Sequence, residues 1–358
     1  MKIGIVLGTR PEIIKMAPVI RLLEDRRIEY FIIHSNQHYS PSMDAVFFEE
    51  LRLPAPKYNL GIGSSHHGNQ TGRMLVRIEE ILLKEHPTVV LAEGDTNTVL
   101  SGILAASKQN IPTGHVEAGL RSYDRRMPEE KNRMICDVLS DFLFAPTMVQ
   151  QDILLSEGIP NERIFVVGNT IVDAVYQNRE IAGKSSLILS KFNLSSKQYV
   201  LVTAHRALNV DGKPALENLT HLIKTIPTIT GFPVVFPIHP RTKANLDRFQ
   251  LTLDGVHLTD PLGYLDFLTL EQHARLIVTD SGGIQEEACI LQVPCITIRE
   301  STERPETITV GANRLVGLSV DQFRDAVEYH NMHAAQWVNP FGDGHTSEKI
   351  VEVLQSRL

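Results

Sequence analysis

Carboxylates stand just past the ends of two apolar, β-branched runs: Asp95 after TVVLAEG (88–94) and Glu117 within PTGHVEAG (112–119). Glu129 and Glu130 then open a helical stretch, MPEEKNR. Carboxylates gathered at one crevice raise one another's pKa, so that one acts as acid while another acts as base. Taken singly, each has a plainer reading: Asp95 as the cap of a helix over 96–109, Glu129 and Glu130 as complements to a helix dipole. Convergence of Asp95, Glu117 and Glu129 favours acid–base chemistry over capping.

A second group is cationic or rich in N–H donors. Gly8-Thr9-Arg10-Pro11-Glu12, with Lys15 following, ends the first apolar run. A tight turn, a Pro at a helix start, exposed N–H groups and two cations suit a phosphate, and an ordinary strand–helix turn is an equally open reading. The segment is neither GxGxxG nor a Walker A loop, which weighs against dinucleotides and P-loop chemistry. His205-Arg206 and His239 also stand at run ends, and Asp280-Ser281-Gly282-Gly283 leads into Glu286-Glu287. Glycines there let backbone N–H groups approach a diphosphate, and a glutamate one turn on accepts ribose hydroxyls. The competing reading is a connecting turn. Arg304, in STERPE, adds a cation. His34, His66, His67, His86 and His115 are expected to be structural or solvated. No set of side chains has metal-ligand spacing, so no metal is expected.

Elements must hold these groups in place. At roughly 150 residues per domain, 358 residues predict about two domains. Lys plus Arg number 35 against 42 Asp plus Glu, a net charge of -7 that disfavours nucleic acid and anionic membranes and favours a small partner. Three scattered cysteines exclude a disulfide framework, and no run reaches the roughly 20 apolar residues of a membrane span, so a soluble cytoplasmic protein is expected. Apolar runs at 2–8, 30–35, 88–94, 112–119, 142–147 and 163–169 alternate with helical patterns, and a second series follows at 199–205, 233–239, 256–260, 276–280 and 294–299. Such alternation predicts an α/β fold of two doubly wound parallel sheets, 1–169 and 170–343, with a closing helix at 344–358. The carboxyl ends of their strands are expected to face a common crevice.

Eight segments, GTRPEIIK, EGDTNT, GHVEAGLRS, MPEEKNR, VGNTIVDA, VTAHR, TDSGGIQEEA and STERPE, resemble in order the motifs of the non-hydrolysing UDP-N-acetylglucosamine 2-epimerase family across nearly the whole chain. The resemblance implies GT-B architecture, two Rossmann-like domains facing a central cleft. It implies a homodimer without a cofactor, a closing helix that returns to the first domain, and interconversion of UDP-N-acetylglucosamine and UDP-N-acetylmannosamine. Position by position it implies Asp95, Glu117, Glu129 and His205 as the catalytic group. Arg10, His239, Ser281, Gly282 and Glu287 then hold the nucleotide, with Lys15 and Arg206 near the diphosphate. A Gln-His segment that binds a second, activating substrate molecule in bacterial relatives matches Gln37-His38, followed here by Tyr39 where those relatives have Arg.

The implied chemistry suits this inventory. The C2–H bond of the sugar lies beside an acetal carbon, so simple deprotonation has no enolate to form. If the C1–O bond to UDP breaks, charge at C1 makes that proton removable and leaves a glycal to which UDP adds back. Rival readings are a hydrolysing epimerase, a glycosyltransferase of the same architecture and a non-catalytic UDP-sugar sensor. The three carboxylates disfavour the last two.

Overall fold

The apolar runs form the strands of two parallel sheets with helices between them, the α/β class predicted from their alternation. The structure, a computed structural model, describes residues 1–37, 47–333 and 335–358. Contacts divide the chain into two units, Met1–Gln177 with Phe341–Leu358, and Asn178–Pro340.

In the first unit, β1 (Lys2–Leu7), β2 (Glu29–His34), β3 (Tyr58–Asn59), β4 (Val89–Glu93), β5 (Thr113–Val116), β6 (Phe142–Ala145) and β7 (Ile164–Val166) lie in the order β3-β2-β1-β4-β5-β6-β7. In the second, β8 (Val200–Thr203), β9 (Val234–Pro237), β10 (His257–Thr259), β11 (Leu276–Thr279), β12 (Cys295–Thr297) and β13 (Asn313–Leu315) lie in the order β10-β9-β8-β11-β12-β13. Both orders reverse beside the first strand, between β1 and β4 and between β8 and β11. Such a switch point opens a crevice at the strands' carboxyl ends.

Helices cover both faces of each sheet, which is why the strands read as continuous apolar runs. Val200 and Val202 pack on one side with Leu216, Leu219 and Ile223 of the helix Lys213–Thr230. Tyr199 and Leu201 pack on the other with Leu270 and Ala288. In the first unit, Val6, Val90 and Ala92 meet Met74, Ile78 and Ile103. Among the described residues no helix is long and apolar enough to cross a membrane.

Two elements escape sequence periodicity. The edge strands β3 and β13 have two and three residues, too few to show alternation. The run over 112–119 stops being a strand at Val116, because Glu117 takes φ 70 and Gly119 φ 84. A side chain at Gly119 would also meet the carbonyl oxygen of Gln150 at 2.7 Å.

The closing helix, Thr346–Arg357, buries Ile350, Val351 and Leu354 and packs on the helix Arg10–Asp25 of the first unit. Its first turn is capped from far away in sequence. The buried Asp173 carboxylate accepts from the Thr346 N–H at 3.2 Å and the Ser347 N–H at 2.9 Å, and also from the Ser347 hydroxyl. Asp173→Ala leaves these donors unmet and is expected to cost about 1–3 kcal/mol, read as a lowered denaturant midpoint with unchanged m-value.

Candidate active site

In the first unit, β1 ends at Gly8, where an added Cβ would collide with the Thr98 and Ser35 side chains, so only glycine fits. Thr9 then caps the helix Arg10–Asp25 in a capping box with Glu12. Glu12 is buried and accepts from Gly8 N–H at 2.5 Å and Thr9 N–H at 3.2 Å. Burial outweighs these bonds and pushes its carboxyl up to about 7. Arg10 lays its guanidinium over the Phe47 ring, 4.5 Å from the centroid.

Lys15, on the next turn, is buried with its ammonium 2.5 Å from Glu117 Oε1 and 3.2 Å from Glu93 Oε1. Asn169 Nδ2 donates to the same Glu117 oxygen at 3.1 Å. Burial, with Glu117 and Glu12 nearby, raises the Glu93 carboxyl well above its usual range against the pull of Lys15. The cation expected near a diphosphate is therefore engaged by two carboxylates.

Asp95, at the end of β4, pairs with Arg133 at 2.5 Å. Arg133 also donates to Glu130 at 2.8 Å, and Glu130 accepts from Ser122 and Tyr123 N–H groups at 2.9 Å each. Glu130 is thus committed to holding a loop. Its neighbour Glu129 is half-buried and lines a pocket of about 210 Å³ with Gln37, His67, Gln70, Asp95 and Asn97. The structure brings Asp95 and Glu129 to one pocket, while Glu117 belongs to the Lys15 cluster. Gln37 accepts from the Thr98 N–H and hydroxyl at 3.2 and 2.8 Å; His38 lies outside the described residues.

In the second unit, Thr203 and Thr279 pair across β8 and β11, their hydroxyls 2.7 Å apart. That register sets Asp280 beside the loop after β8. Asp280 is wholly buried and accepts from the N–H of His205 at 3.1 Å, the N–H of Arg206 at 3.0 Å and Nδ2 of Asn209 at 3.0 Å. The His205 and His239 rings lie 5.5 Å apart. Burial lowers the pKa of both, with Asp280 opposing it at His205 and the neighbouring ring and Arg241 adding to it at His239. His239 Nδ1 accepts from the Arg241 N–H at 3.1 Å and so caps the helix Pro240–Phe249.

Ser281 precedes the helix Gly282–Ile290, and its hydroxyl makes no capping bond. A Cβ at Gly283 would meet nothing within 4 Å, and one at Gly282 only Glu303 Oε2 at 3.9 Å. Protein packing does not demand glycine at either position. What the glycines leave open is an approach to the helix's first N–H groups. Glu287 is buried and accepts from the Tyr264 hydroxyl at 2.8 Å. Arg206 is half-buried, 3.9 Å from Glu303. Burial opposes ionisation of Glu303, yet Arg299 at 2.9 and 2.8 Å outweighs it and holds the carboxyl at about 2. Arg304 is buried against Glu286, 2.5 Å away, and its guanidinium serves that pair.

Sequence reasoning assigned no role to Glu12, Asn169 and Asp280, which the structure hydrogen-bonds to Gly8, Glu117 and His205. Asp280 had a signal: it is the first residue past β11, at the switch point. Glu12 generates a test. Its raised carboxyl contributes stability below the ordinary glutamate pKa of 4.5, lost as pH rises through about 7. Glu12→Gln is expected to flatten the stability profile across that interval, measured by urea unfolding at successive pH values.

A family model described as UDP-N-acetylglucosamine 2-epimerase matches residues 21–355. The UDP-N-acetylglucosamine 2-epimerase of Methanocaldococcus jannaschii is 55% identical over 361 residues, covering 99% of each chain. A UDP-2,3-diacetamido-2,3-dideoxy-D-glucuronate 2-epimerase of Pseudomonas aeruginosa is 40% identical over 359 residues, again 99% of each. A crystal structure of the M. jannaschii enzyme in complex with UDP-GlcNAc and UDP aligns with a TM-score of 0.92 at 55% identity, over 99% of this chain and 100% of that one. With a family model over most of the chain, a matching fold and near-complete coverage at 55% identity, the chain belongs to the UDP-N-acetylglucosamine 2-epimerase family.

Proposed function

We propose that the protein interconverts UDP-N-acetylglucosamine and UDP-N-acetylmannosamine without net hydrolysis. The observation that carries this reading is a division of polar groups. The strand ends of the first unit present carboxylates already paired with buried cations, Glu117 with Lys15 and Asp95 with Arg133. Those of the second present histidines, Arg206 and an uncovered helix start.

In this division of labour the second unit holds UDP. N–H groups at Ser281, Gly282 and Gly283, with Arg206, stabilise the departing diphosphate; Glu287 takes the ribose and His239 the nucleotide. Arg10 adds a cation from the first unit. The C1–O bond breaks with its electron pair leaving on UDP. Positive charge at C1 makes the C2 proton removable, and a carboxylate among Asp95, Glu117 and Glu129 accepts it, leaving 2-acetamidoglucal. A proton then reaches C2 from the opposite face while a diphosphate oxygen re-forms the bond to C1. His205 orients the diphosphate or sugar. Lys15, 2.5 Å from Glu117 Oε1, holds that carboxylate in place. The reading extends to a cytoplasmic homodimer that supplies N-acetylmannosamine units to surface polysaccharide, as the family resemblance implies, with Gln37 beside Asp95 in the pocket for sugar or effector.

Incubation of pure protein with UDP-N-acetylglucosamine in deuterated water decides the route. Both UDP-linked epimers are expected to carry deuterium at C2; epimerisation without solvent label sinks elimination, and accumulation of free N-acetylmannosamine replaces it with hydrolysis. Asp95→Asn and Glu117→Gln are each expected to lower kcat by roughly 10²–10⁴-fold with little change in UDP affinity by calorimetry. Near-normal turnover would remove that residue from the set.

A further inference from the structure

One buried side chain without a role so far touches every element that carries the three carboxylates. His115, on β5, is wholly buried, with Nδ1 2.7 Å from Asp137 Oδ1 and Nε2 2.8 Å from the Gly94 carbonyl oxygen. Both neighbours accept. Asp137 is a carboxylate that also takes Arg121 at 2.8 Å and the Gly119 N–H at 3.2 Å on its other oxygen. A neutral imidazole has a single N–H, so satisfying two acceptors requires the doubly protonated ring. Burial works against that charge, and Asp137 outweighs it, leaving the His115 pKa raised. Arg121 closes the network on Glu157 at 2.9 and 2.6 Å, so each buried charge has a partner.

The reach of this network is what matters. Gly94 lies between Glu93 and Asp95, in a turn at φ 91. Gly119 lies two residues past Glu117, in a turn at φ 84. Asp137 sits on the helix Pro128–Leu139, which also carries Glu129 and Arg133, the partner of Asp95. We propose that His115 is a positioning residue, an imidazolium that fastens the turns of Asp95 and Glu117 and the helix of Glu129 into one geometry. The proposal rests on the reading that those three carboxylates act on the sugar. Loss of the Nε2 bond frees the Gly94 carbonyl and lets the Asp95 turn relax, and a displacement near 1 Å costs on the order of a hundredfold in rate.

The test has two arms. In wild-type protein labelled with ¹⁵N-histidine, NMR is expected to show protons on both ring nitrogens of His115 at neutral pH; a single protonated nitrogen overturns the proposal. His115→Leu is expected to lose kcat on the order of a hundredfold while UDP affinity holds, and folded His115→Leu protein with wild-type kcat overturns it. Asp137→Asn guards against a variant that fails to fold. Its amide donates to Nδ1 of a neutral ring, so the Nε2 bond to Gly94 survives, and kcat is expected nearer wild type than that of His115→Leu. A loss as deep as that of His115→Leu refutes the role of the Gly94 bond. Wild-type turnover in Glu117→Gln would instead strike the carboxylate reading and leave the doubly protonated His115 signal standing, so the two failures are told apart.

Discussion

One ammonium between two buried carboxylates governs the first unit's strand ends. Lys15 stands 2.5 Å from Glu117 and 3.2 Å from Glu93, all three nearly excluded from water. A buried charge without a partner costs several kcal/mol, so the helix that carries Lys15 is tied to the ends of β4 and β5 by a requirement far stronger than surface pairing. That tie explains the crowding upstream. The helix must start close under Ser35 and Thr98, which leaves room only for Gly8, and its cap carboxylate, Glu12, is buried in the process.

The second unit solves the converse problem. Its organiser is an anion, Asp280, and what it organises are donors: two successive backbone N–H groups, the Asn209 amide and the His205 ring, whose Nδ1 lies 3.3 Å away. The same topological device, a reversal of strand order beside the first strand, thus presents anions held by cations in one unit and donors held by an anion in the other. The proposed reaction, in which a nucleotide sugar loses a diphosphate and a proton, calls for both. In each case the candidate groups are held by charges behind them, which keeps them oriented.

Cations visible in the sequence are not all free to meet a ligand. Arg304 belongs to Glu286, Arg133 to Asp95 and Glu130, and Arg299 to Glu303. The same holds for acids: Glu130 and Glu129 are adjacent in MPEEKNR, yet one closes a loop with Ser122 and Tyr123 while the other lines a pocket. Adjacent helical residues point about 100° apart, so neighbours of identical chemistry face different surroundings.

The sequence by itself determined the alternation of strands and helices, the α/β class and which polar residues stand just past strand ends, because apolar runs buried on both faces and the residues that follow them are local properties. Gly8, Asp95, Glu117 and Ser281 were legible for that reason. Which group pairs with which was settled only by tertiary structure. Lys15 meets Glu117 across 102 positions of chain, Asp280 gathers its donors across more than 70, and His115 reaches Asp137 and Gly94 on two other elements. Burial and charge pairing depend on distances that exist only once each unit has folded, and with them go the pKa shifts of Glu12, Glu93 and His115.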